Sequence, residues 1–598
     1  MKLSAPPSGS FVNKGSLFLY LLTAVFLLLL SSYSFSAELG DYDLDDDGLI
    51  EINDLADLDE IRNNLDGTSL YGSSAGCPEE GCIGFELTAD LDFDTNADGI
   101  MDENDDYWNE GLGWLPIGAE ATPFNAVFDG NDHTINNLFI DRYGNNDIGF
   151  FAYLESSNIR KVHFDGALTQ TEGDDNVGII AGRMKQSIIE YSSIKGDVKA
   201  VNKAGGIAGA AFENSLIENS HSKGSVRATN VSGGIVGYLS GNMDYHNTVR
   251  SSFSSARVHA TDIAGGIVGE LNGWGSVYYS FSTGHISGSE MVGGLVGKSF
   301  GIGLVDKSVF FSNIVASFFT GKVVGHKSIG GLVGHLTGET NLGYSFSSGR
   351  VAGGQLLNTG AIVGYSDRTS RSVSRVYWAT DTSNQIYSKA PQLGGVGQPI
   401  STLKCATTHS VSVDNSINCL PALNEDGEKN TLILFHGWDI FKYTDAEGNR
   451  KPYWIFGSDQ QLPGLDLNGK LYRDSDGDGV LDEEDGFPLS AAATLDSDSD
   501  GYPNTWSIEC DLACQTESGF ILDQFPESPA AWLDEDFDGK PDAWAENCNI
   551  DCQNIANANG LELDPHLSDF DNDGLSDAVD PDDNADGVID RDSDHDGL

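Results

Sequence analysis

Four acidic segments of the chain carry oxygen-bearing side chains at a spacing suited to calcium. The clearest, residues 474–485, reads DSDGDGVLDEED, with aspartate at positions 1, 3, 5, 9 and 12 and glycine at position 6. Ca²⁺ takes six to eight oxygen ligands at about 2.3–2.6 Å, and alternate carboxylates on a tight glycine turn converge on one point. The predicted Ca²⁺ ligands of the four loops are Asp43, Asp45, Asp47, Glu51 and Asp54; Asp94, Asn96, Asp98, Asp102 and Asp105; Asp474, Asp476, Asp478, Asp482 and Asp485; and Asp569, Asp571, Asp573, Asp577 and Asp580.

Three weaker copies of the motif have no carboxylate at the twelfth position, where Ser507, Ala545 and Ser593 stand instead. Each therefore needs a neighbouring carboxylate or a water molecule to complete its ligand shell. A plain run of solvated acids is the alternative, but it would not keep the glycine and the spacing so regularly. The predicted ligands of these copies are Asp496, Asp498 and Asp500; Asp534, Asp536, Asp538 and Asp542; and Asp582, Asn584, Asp586 and Asp590.

The overall charge agrees with cation binding and excludes one class of partner. The 598 residues include 91 acidic and 33 basic side chains, which gives a formal net charge of −58. A chain that binds nucleic acid needs a basic face to neutralise phosphates, so nucleic acid is not an expected partner. The acidic residues concentrate at 41–106 and 474–598, on either side of a nearly neutral central region.

That central region repeats one unit of about 28 residues between positions 177 and 364. Each unit ends in a glycine-rich box such as GGIVG at 233–237, and a serine precedes the last glycine of the box by 17 residues in five units and 19 in the sixth. A β-branched residue follows each serine after six positions. The serine column is Ser192, Ser220, Ser252, Ser280, Ser317 and Ser345, and the β-branched column is Val198, Val226, Val258, Ile286, Val323 and Val351.

A fixed period of this length, rich in β-formers and glycine, is typical of a stacked solenoid. One unit cannot bury its apolar side chains alone, whereas stacked parallel rungs bury continuous columns of Val, Ile and Leu. The serines form either a hydroxyl ladder inside a corner or an exposed catalytic row, and catalysis needs one activated serine rather than six. The box glycines, such as Gly205 and Gly233, are expected where a corner requires positive φ or close backbone approach.

The N-terminus has the features of an export signal. Lys2 and Lys14 precede an apolar run at 17–30, and small residues follow at 34–37. This run is short for a membrane span and normal for a signal peptide, so we expect cleavage after Ser36 or Ala37; an uncleaved anchor is the alternative. No later stretch reaches membrane length, which predicts no membrane span after cleavage and a secreted or cell-surface location.

Eight cysteines support an oxidising compartment because they are even in number and fall in close pairs. We expect four local disulfides, and the alternative of a zinc site is weak because nearby histidine ligands are missing. The expected pairs are Cys77/Cys82, Cys405/Cys419, Cys510/Cys514 and Cys548/Cys552. Near the first pair, apolar residues at 52, 55, 58, 61 and 65 keep helical spacing and predict a short helix that caps the solenoid.

The glycine boxes resemble the GLUG-motif repeats of bacterial surface and secreted proteins. The lead-in FDGNDHTINNL at 128–138 and the exit VYWATDTSNQ at 376–385 are similar to the same family, and the resemblance covers about 43–466. The DxDxDG repeats at 471–598, with CDLAC and CNIDC, resemble the calcium-binding repeats of thrombospondin type 3 proteins. These resemblances imply an adhesin-type parallel β-helix outside the cell and supply no catalytic residue.

The predicted fold is therefore all-β: a parallel β-helix with a short N-terminal helical cap and an extended calcium-binding repeat tail. The expected boundaries are a signal peptide at 1–37, a calcium loop and cap at 38–82, the solenoid at 83–390, an exit segment at 391–470 and the tail at 471–598. The expected function is adhesion or extracellular scaffolding with Ca²⁺ as the bound ion, and no catalytic motif is found. The alternative is a carbohydrate-active β-helix enzyme, which requires a groove with acids and a basic residue on adjacent rungs.

Two insertions in the repeats, at 238–248 and 298–312, leave the same predicted corner. Solenoids often bind partners through such loops. The first insertion carries Asn242, Asp244, Tyr245 and His246, and Trp274 lies on the next rung. These side chains suit an extracellular glycan or a surface protein; the alternative is that both insertions are surface loops without a ligand.

Overall fold

The computed structural model describes residues 41–564, with short gaps in between. The predicted signal peptide at 1–37, the predicted pair Cys405/Cys419 and the acidic repeats after residue 564 lie outside the described residues. The gaps within the described range are 143, 145, 171–175, 243–244, 302–311, 354–357, 368–371, 386–394, 405–433, 436, 459, 508–509, 536 and 547.

Most of the described chain forms a stack of short parallel strands, which confirms the predicted parallel β-helix. Four sheets run along the stack, and successive strands of each sheet come from successive repeat units. The chain passes in each unit from sheet 1 to sheet 2, then through the glycine box to sheets 3 and 4. Branched apolar side chains from all four sheets point inward and form one continuous buried core.

Sheets 1 and 2 form the two longer walls. Within the described residues, sheet 1 has 11 strands and sheet 2 has 16, because later rungs contribute two short strands each to sheet 2. The strands of sheet 1 are Leu49–Ile52, Gly84–Leu87, Val127–Asp129, Asn158–Arg160, Ile188–Glu190, Leu216–Glu218, Asn247–Arg250, Gly275–Tyr278, Ser312–Val315, Thr340–Gly343 and Ser372–Ser374. Those of sheet 2 are Leu91–Asp92, Thr134–Asn136, Phe139–Asp141, His163–Gln170, Ser193–Ala200, His221–Ala228, Phe253–Ser254, Arg257–Ala260, Phe281–Ser282, His285–Gly288, Phe318–Phe319, Lys322–Gly325, Phe346–Ser347, Arg350–Gly353, Tyr377–Ala379 and Val396–Gln398.

Sheets 3 and 4 are made by the residues at and beside the glycine boxes, and each has eight strands in the described part of the chain. The strands of sheet 3 are Asp147–Ile148, Asn176–Val177, Lys203–Gly205, Val231–Gly233, Ile263–Gly265, Met291–Gly293, Ser328–Gly330 and Thr359–Gly360. Those of sheet 4 are Phe151–Glu155, Ala181–Lys185, Ala208–Phe212, Val236–Ser240, Val268–Asn272, Val296–Gly301, Val333–Gly338 and Val363–Ser366.

The predicted β-branched column is present in register. Val198 pairs with Val226, and the pairing continues rung by rung to Val351. All six members are buried. The serine column is likewise buried and structural: the Ser220 hydroxyl accepts a hydrogen bond from the Ser192 backbone N–H at 3.1 Å and donates to the Glu218 carbonyl at 2.8 Å.

The box glycines are required by close approach rather than by positive φ. A Cβ on Gly233 would lie 2.0 Å from the carbonyl oxygen of Val236, within the same corner. No side chain other than hydrogen fits in that space, because real Cβ atoms essentially never come within 3.0 Å of another heavy atom.

The N-terminal end of the stack is covered by a helix, as predicted, but of the five apolar positions only 55 and 58 lie in it, since residue 52 ends a strand and residue 61 begins a 3₁₀ turn. Strand Leu49–Ile52 is the first strand of sheet 1, and helix Leu55–Glu60 follows it, continued by the 3₁₀ turn Ile61–Asn63. Leu58 and Ile61 are fully buried and join the solenoid core.

The C-terminal part of the described chain lies along the side of the solenoid. We call residues 434–485 the flank segment. It contains the 3₁₀ turn Trp438–Ile440 and the antiparallel strands Lys442–Thr444, Arg450–Pro452, Trp454–Ile455, Gly464–Leu467 and Lys470–Tyr472. Its buried aromatic and aliphatic residues pack on the outer face of sheet 2 and form a second core.

That second core is organised by a ladder of aromatic rings on the outside of sheet 2. Phe253, Phe281 and Phe318 stack with centroids 4.8 and 4.6 Å apart and planes within 2° of parallel. Phe346 continues the ladder, and Trp454 of the flank segment packs on Phe346 with the ring centroids 5.9 Å apart.

The remaining elements are helices Ile400–Leu403, Leu512–Ser518 and Ile550–Ala558, the 3₁₀ turn Asn109–Gly111 and the strand pair Ala493–Leu495 and Thr505–Trp506.

Three of the expected disulfides are present: Cys77–Cys82, Cys510–Cys514 and Cys548–Cys552. The last two each tie the start of a helix to the turn before it. Among the described residues, no helix is both long and apolar enough to span a bilayer.

Candidate metal centres

Among the predicted calcium loops that the structure describes, loop 474–485 is the most buried. Oxygens of Asp474, Asp476 and Asp478 lie within 4.8 Å of one another. Asp474 is 1% exposed, and its two oxygens accept hydrogen bonds from the N–H groups of Gly477 at 2.7 Å and Gly479 at 2.8 Å. Gly479 is the predicted turn glycine and has φ +100°, so the sharp bend expected from the motif is present.

The carboxylates of this loop are arranged for a cation. The unused oxygens Oδ2 of Asp476, Asp478 and Asp485 are buried and have no hydrogen-bond partner among the described residues. An unpartnered buried carboxylate oxygen is costly unless a cation or donor satisfies it, and Ca²⁺ accepts such oxygens readily. The residues present therefore fit a Ca²⁺ ion. Asp482, the remaining predicted ligand, accepts hydrogen bonds from the N–H and the hydroxyl of Ser475, both at 2.7 Å.

The pKa values of this loop reflect the same unfavourable burial of its carboxylates. Burial, together with the charges of Asp478 and Asp476, holds the pKa of Asp474 well above its usual range. Burial likewise raises the pKa of Asp476 to about 6, that of Asp478 to about 8 and that of Asp485 to about 7. Without a bound cation, several of these groups would keep a proton at neutral pH.

Although loop 474–485 follows the repeats in sequence, it packs against them in space. A Cβ on Gly479 would lie 3.1 Å from the carbonyl oxygen of Thr283, and one on Gly477 would lie 3.0 Å from the hydroxyl of Ser348. The hydroxyl of Thr320 lies beside the carboxylate of Asp474, whose pKa it acts to lower, and that of Ser348 is buried without a hydrogen-bond partner among the described residues. The solenoid thus forms one wall of the site.

The N-terminal loop 43–54 contains a second cluster. Oxygens of Asp43, Asp45 and Asp47 lie within 4.8 Å of one another, and Asp43 accepts hydrogen bonds from the N–H groups of Asp47 and Gly48, both at 3.0 Å. Asp54, the predicted twelfth-position ligand, is not brought into this cluster. Its carboxylate caps helix Leu55–Glu60 by accepting from two N–H groups of the first turn, at 2.9 and 3.0 Å.

A residue that the motif does not include joins this N-terminal cluster. Glu86, on the second strand of sheet 1, has a carboxylate oxygen within 4.8 Å of those of Asp45 and Glu51. Burial, followed by the charges of Asp47, Asp45 and Glu51, raises the pKa of Glu86 to about 7. The only signal for Glu86 in the sequence is its position on a parallel neighbour in register with Glu51.

Loop 94–105 is organised differently. Asp94 accepts hydrogen bonds from Gly99 N–H at 2.7 Å and Asp98 N–H at 3.2 Å, as in the other loops. The Asp105 carboxylate accepts hydrogen bonds from the backbone N–H groups of Asp102, Asn96 and Thr95. Burial alone would raise the pKa of Asp105, but these hydrogen bonds lower it. Among the described residues, loop 94–105 does not bring three carboxylates together as loops 43–54 and 474–485 do. Its predicted ligands Asn96 and Asp102 mainly fix the turn.

The first weaker copy has a further buried carboxylate, Asp523, near its three clustered aspartates. Oxygens of Asp496, Asp498 and Asp500 lie within 4.8 Å of one another. Asp523 lies close to this cluster: burial, followed by the charges of Asp498 and Asp496, raises its pKa to about 6, and burial raises that of Asp500 to about 7. The Oδ2 atoms of Asp498, Asp500 and Asp523 are buried and lack a hydrogen-bond partner among the described residues.

A recurring tetrapeptide is the signal by which Asp523 could have been found. Asp485 and Asp523 both begin the pattern D-x-F-P, and each accepts a hydrogen bond from the N–H of the phenylalanine two residues later, at 2.8 and 2.7 Å. Asp485 is already the twelfth residue of its loop. In the next copy, the disulfide-bonded helix Leu512–Ser518 is inserted before the equivalent aspartate.

The second weaker copy is described only in part. Asp534 accepts a hydrogen bond from Gly539 N–H at 2.9 Å, and Asp542 accepts one from Glu535 N–H at 2.9 Å. Asp538 forms an ion pair with Lys540 at 3.0 Å, which neutralises part of the acidic cluster. The predicted ligands that lie outside the described residues are Asp536, Asp569, Asp571, Asp573, Asp577, Asp580, Asp582, Asn584, Asp586 and Asp590.

A groove of about 380 Å³ lies between the flank segment and the outer face of sheet 2. Lys223 pairs with Glu484 at 3.0 Å across the groove, and Lys470 pairs with Glu483 at 3.0 Å on its far wall. Burial lowers the pKa of His221 to about 4, so this imidazole is neutral at pH 7. The lining residues include His163, Asp165, Lys195, His221, Lys223, Phe253, Lys470, Tyr472, Glu483 and Glu484.

The predicted insertion at 238–248 is described except for residues 243 and 244, so the candidate contact Asp244 lies outside the described residues. His246 packs on Trp274 of the next rung, with ring centroids 4.5 Å apart. Most of the second insertion, at 302–311, also lies outside the described residues.

Comparison with known proteins gives partial likenesses. No protein-family model matches the chain. A stretch of 164 residues is 32% identical to halomucin of Haloquadratum walsbyi, strain DSM 16790 / HBSQ001, and this match covers 27% of the chain but 2% of halomucin. The crystal structure of a "putative immunoglobulin A1 protease" from Bacteroides ovatus is similar at a TM-score of 0.35 and 19% identity, over 60% of this chain and 86% of that one.

Proposed function

We propose that this protein is a calcium-stabilised β-solenoid that acts outside the cell in adhesion or as a surface scaffold. The observation that carries the proposal is loop 474–485, where carboxylate oxygens of Asp476, Asp478 and Asp485 are buried without a hydrogen-bond partner among the described residues. Five acidic side chains in one small site repel one another strongly unless a cation is bound. Ca²⁺ fits because all the available donors are hard oxygens.

The extracellular location rests on independent support. Three disulfides lie in the described chain, and disulfides persist in oxidising compartments. The partial likeness to a halomucin is compatible with a surface protein, as is the resemblance of the glycine boxes to GLUG-motif repeats. A long solenoid also offers extended side faces on which partners can bind.

Thermal unfolding with and without calcium tests the calcium part of the proposal. The melting temperature is expected to rise as Ca²⁺ is added over roughly 10⁻⁴–10⁻³ M, the range of extracellular calcium modules. Mg²⁺ at the same concentration is the control, because it demands a tighter octahedral geometry. A melting temperature that is unchanged by Ca²⁺ and by chelator would remove calcium from the function.

The groove beside the flank segment favours a glycan as the ligand and keeps a carbohydrate-active enzyme as the second candidate function. It combines the aromatic faces of Phe253 and Tyr472 with an acid–lysine ion pair on adjacent rungs, Asp165 and Lys195. Although partial burial alone would lower the pKa of Lys470, its pairing with Glu483 raises it, so this lysine is better suited to bind acidic sugars than to accept a proton. A screen of acidic and neutral polysaccharides for binding and for cleavage separates the candidates: binding alone supports adhesion, whereas cleavage that is lost in Lys223→Ala supports the enzyme.

A further inference from the structure

The outer face of sheet 1 begins with three acidic residues on consecutive rungs. Parallel pairing sets Glu51 beside Glu86, and Glu86 beside Asp129. Neighbouring strands are about 4.8 Å apart, so like charges in register on one face destabilise the pairing. Asp129 is neutralised, since its Oδ2 lies 2.6 Å from the Nε of Arg160 on the following rung. The charges that act most strongly on Glu86, by contrast, are all acidic.

Glu51 supplies an observation that is independent of this charge pattern. Its side chain is 5% exposed, and one oxygen, Oε1, accepts a hydrogen bond from the Leu44 N–H at 2.5 Å. The other oxygen, Oε2, is buried and has no hydrogen-bond partner among the described residues. A carboxylate oxygen kept from water in this way needs a positively charged partner.

The distances suit a metal ion. Carboxylate oxygens of Asp45, Glu51 and Glu86 lie within 4.8 Å of one another, and Asp45 belongs also to the cluster of Asp43 and Asp47. Two oxygens that contact one Ca²⁺ ion at about 2.4 Å each are separated by no more than about 4.8 Å. Asp54 cannot complete the shell in this arrangement because its carboxylate caps the following helix.

We propose that Glu86 is a ligand of the calcium ion of loop 43–54, so that this ion is held jointly by the loop and by the second strand of sheet 1. The proposal rests on the proposed function, since it takes loop 43–54 to bind Ca²⁺. The ion then joins the N-terminal cap to the next rung of the solenoid through metal–oxygen bonds. It also neutralises the Glu51–Glu86 repulsion, as Arg160 neutralises Asp129 farther along the same face.

Hydrogen–deuterium exchange of the full chain, followed by peptide mass spectrometry, tests this with a local readout. In the wild-type protein, Ca²⁺ is expected to slow exchange at least fivefold in peptides that cover 41–52 and in peptides that cover 474–485. In Glu86→Gln, the effect at 41–52 is lost while the effect at 474–485 remains. Asp54→Asn is the matched control: asparagine also caps helices, and this variant keeps the effect at both places.

Each outcome decides one of the two proposals. An unchanged calcium effect at 41–52 in Glu86→Gln, or a loss of it in Asp54→Asn, overturns the role of Glu86. A wild-type protein in which no loop responds to Ca²⁺ overturns the proposed function itself. Calcium-free exchange across sheet 1 shows whether Glu86→Gln is folded. If Glu86→Gln is unfolded, Glu86→Asp replaces it, because this variant keeps the charge but has a shorter side chain. Its midpoint Ca²⁺ concentration for protection at 41–52 is expected to be about tenfold higher than that of the wild-type protein. An unchanged midpoint overturns the role of Glu86.

Discussion

The Nζ of Lys223, on a strand of sheet 2, lies 3.0 Å from the Oε2 of Glu484, a residue 261 positions later in loop 474–485. Both side chains are about half exposed, at 51% and 46%, and such ion pairs contribute only about 0–1 kcal/mol. The loop is therefore held on the solenoid mainly by other contacts. Those are the aromatic ladder under Trp454 and the acidic site itself.

Removal of calcium is expected to release the flank segment from sheet 2. The buried carboxylates of loop 474–485 lose the cation that offsets their repulsion, and separating the loop from the solenoid lets water solvate them. Chelation should then expose Trp438 and Trp454, which are fully buried, and shift their fluorescence to longer wavelength.

Three variants make this prediction specific. Asp476→Asn should produce the shift even with Ca²⁺ present, whereas Asp498→Asn, in the next loop, should not. Lys223→Ala should leave the emission nearly unchanged because it removes only the exposed ion pair. An emission maximum that is insensitive to chelator would contradict a calcium-dependent contact.

The calcium-free protein is expected to lose stability as the pH rises. The pKa values of Asp476, Asp478 and Asp485 are raised by burial to about 6, 8 and 7, above the ordinary value of 3.8. The folded state therefore binds more protons than the unfolded state, and this contribution to stability is complete below about pH 4 and is lost between about pH 4 and 8.

Calcium should reverse this trend, because protons and Ca²⁺ compete for the same oxygens. The difference in melting temperature between the calcium-loaded and the chelated protein is thus expected to widen from pH 5 to pH 8. Scanning calorimetry at both pH values measures it. A difference that is constant over this range would show that these carboxylates do not bind the ion.

Asp523 is expected to contribute to the ion of the loop that begins at Asp496. Asp523→Asn should weaken the calcium effect on that loop by about as much as Asp500→Asn, since both remove a buried carboxylate that faces the cluster. Glu517→Gln removes the same charge from an exposed position on the inserted helix and serves as the control. Calcium titration followed by local hydrogen exchange at 496–506 distinguishes the three; equal midpoints for all of them would exclude Asp523.

The serine ladder is expected to stabilise the solenoid without any role in chemistry. Ser252→Ala removes the acceptor of the buried Ser220 N–H and a donor to the Arg250 carbonyl. Such a loss costs about 1–3 kcal/mol in the free energy of unfolding. Ser289→Ala, at a partly exposed position, should cost less than about 0.5 kcal/mol. Denaturant unfolding of the two variants compares them.

The features that the sequence predicted well are those that repeat. The valines at 198, 226 and 258 recur at one phase of the unit, and a stacked rung places like positions side by side, so their register followed from the alignment alone. The turn glycines of the acidic loops were equally predictable, because the sharp bend within the motif itself requires a glycine. Gly479 shows this with its φ of +100°.

The contacts that the sequence did not predict join residues that do not occupy equivalent positions of the repeat. Glu86 meets Glu51 because the first two rungs pair in parallel, yet the N-terminal rungs do not follow the 28-residue alignment. Asp54 could be a ligand or a helix cap, and only the position of the helix decides between them. The aromatic ladder of Phe253, Phe281 and Phe318 was not predicted, since Trp454, which packs on it, lies more than 100 residues later in the chain.

The groove has two walls of different origin, one from the rigid repeats and the other from the flank segment with Glu483 and Glu484 of loop 474–485. A ligand that contacts both walls binds only the docked arrangement, and so does the ion. Thermodynamic reciprocity then requires that each increase the affinity for the other by the same factor. The extracellular calcium concentration would thereby set the affinity of the protein for its ligand, and a bound ligand would in turn increase the affinity of the protein for calcium.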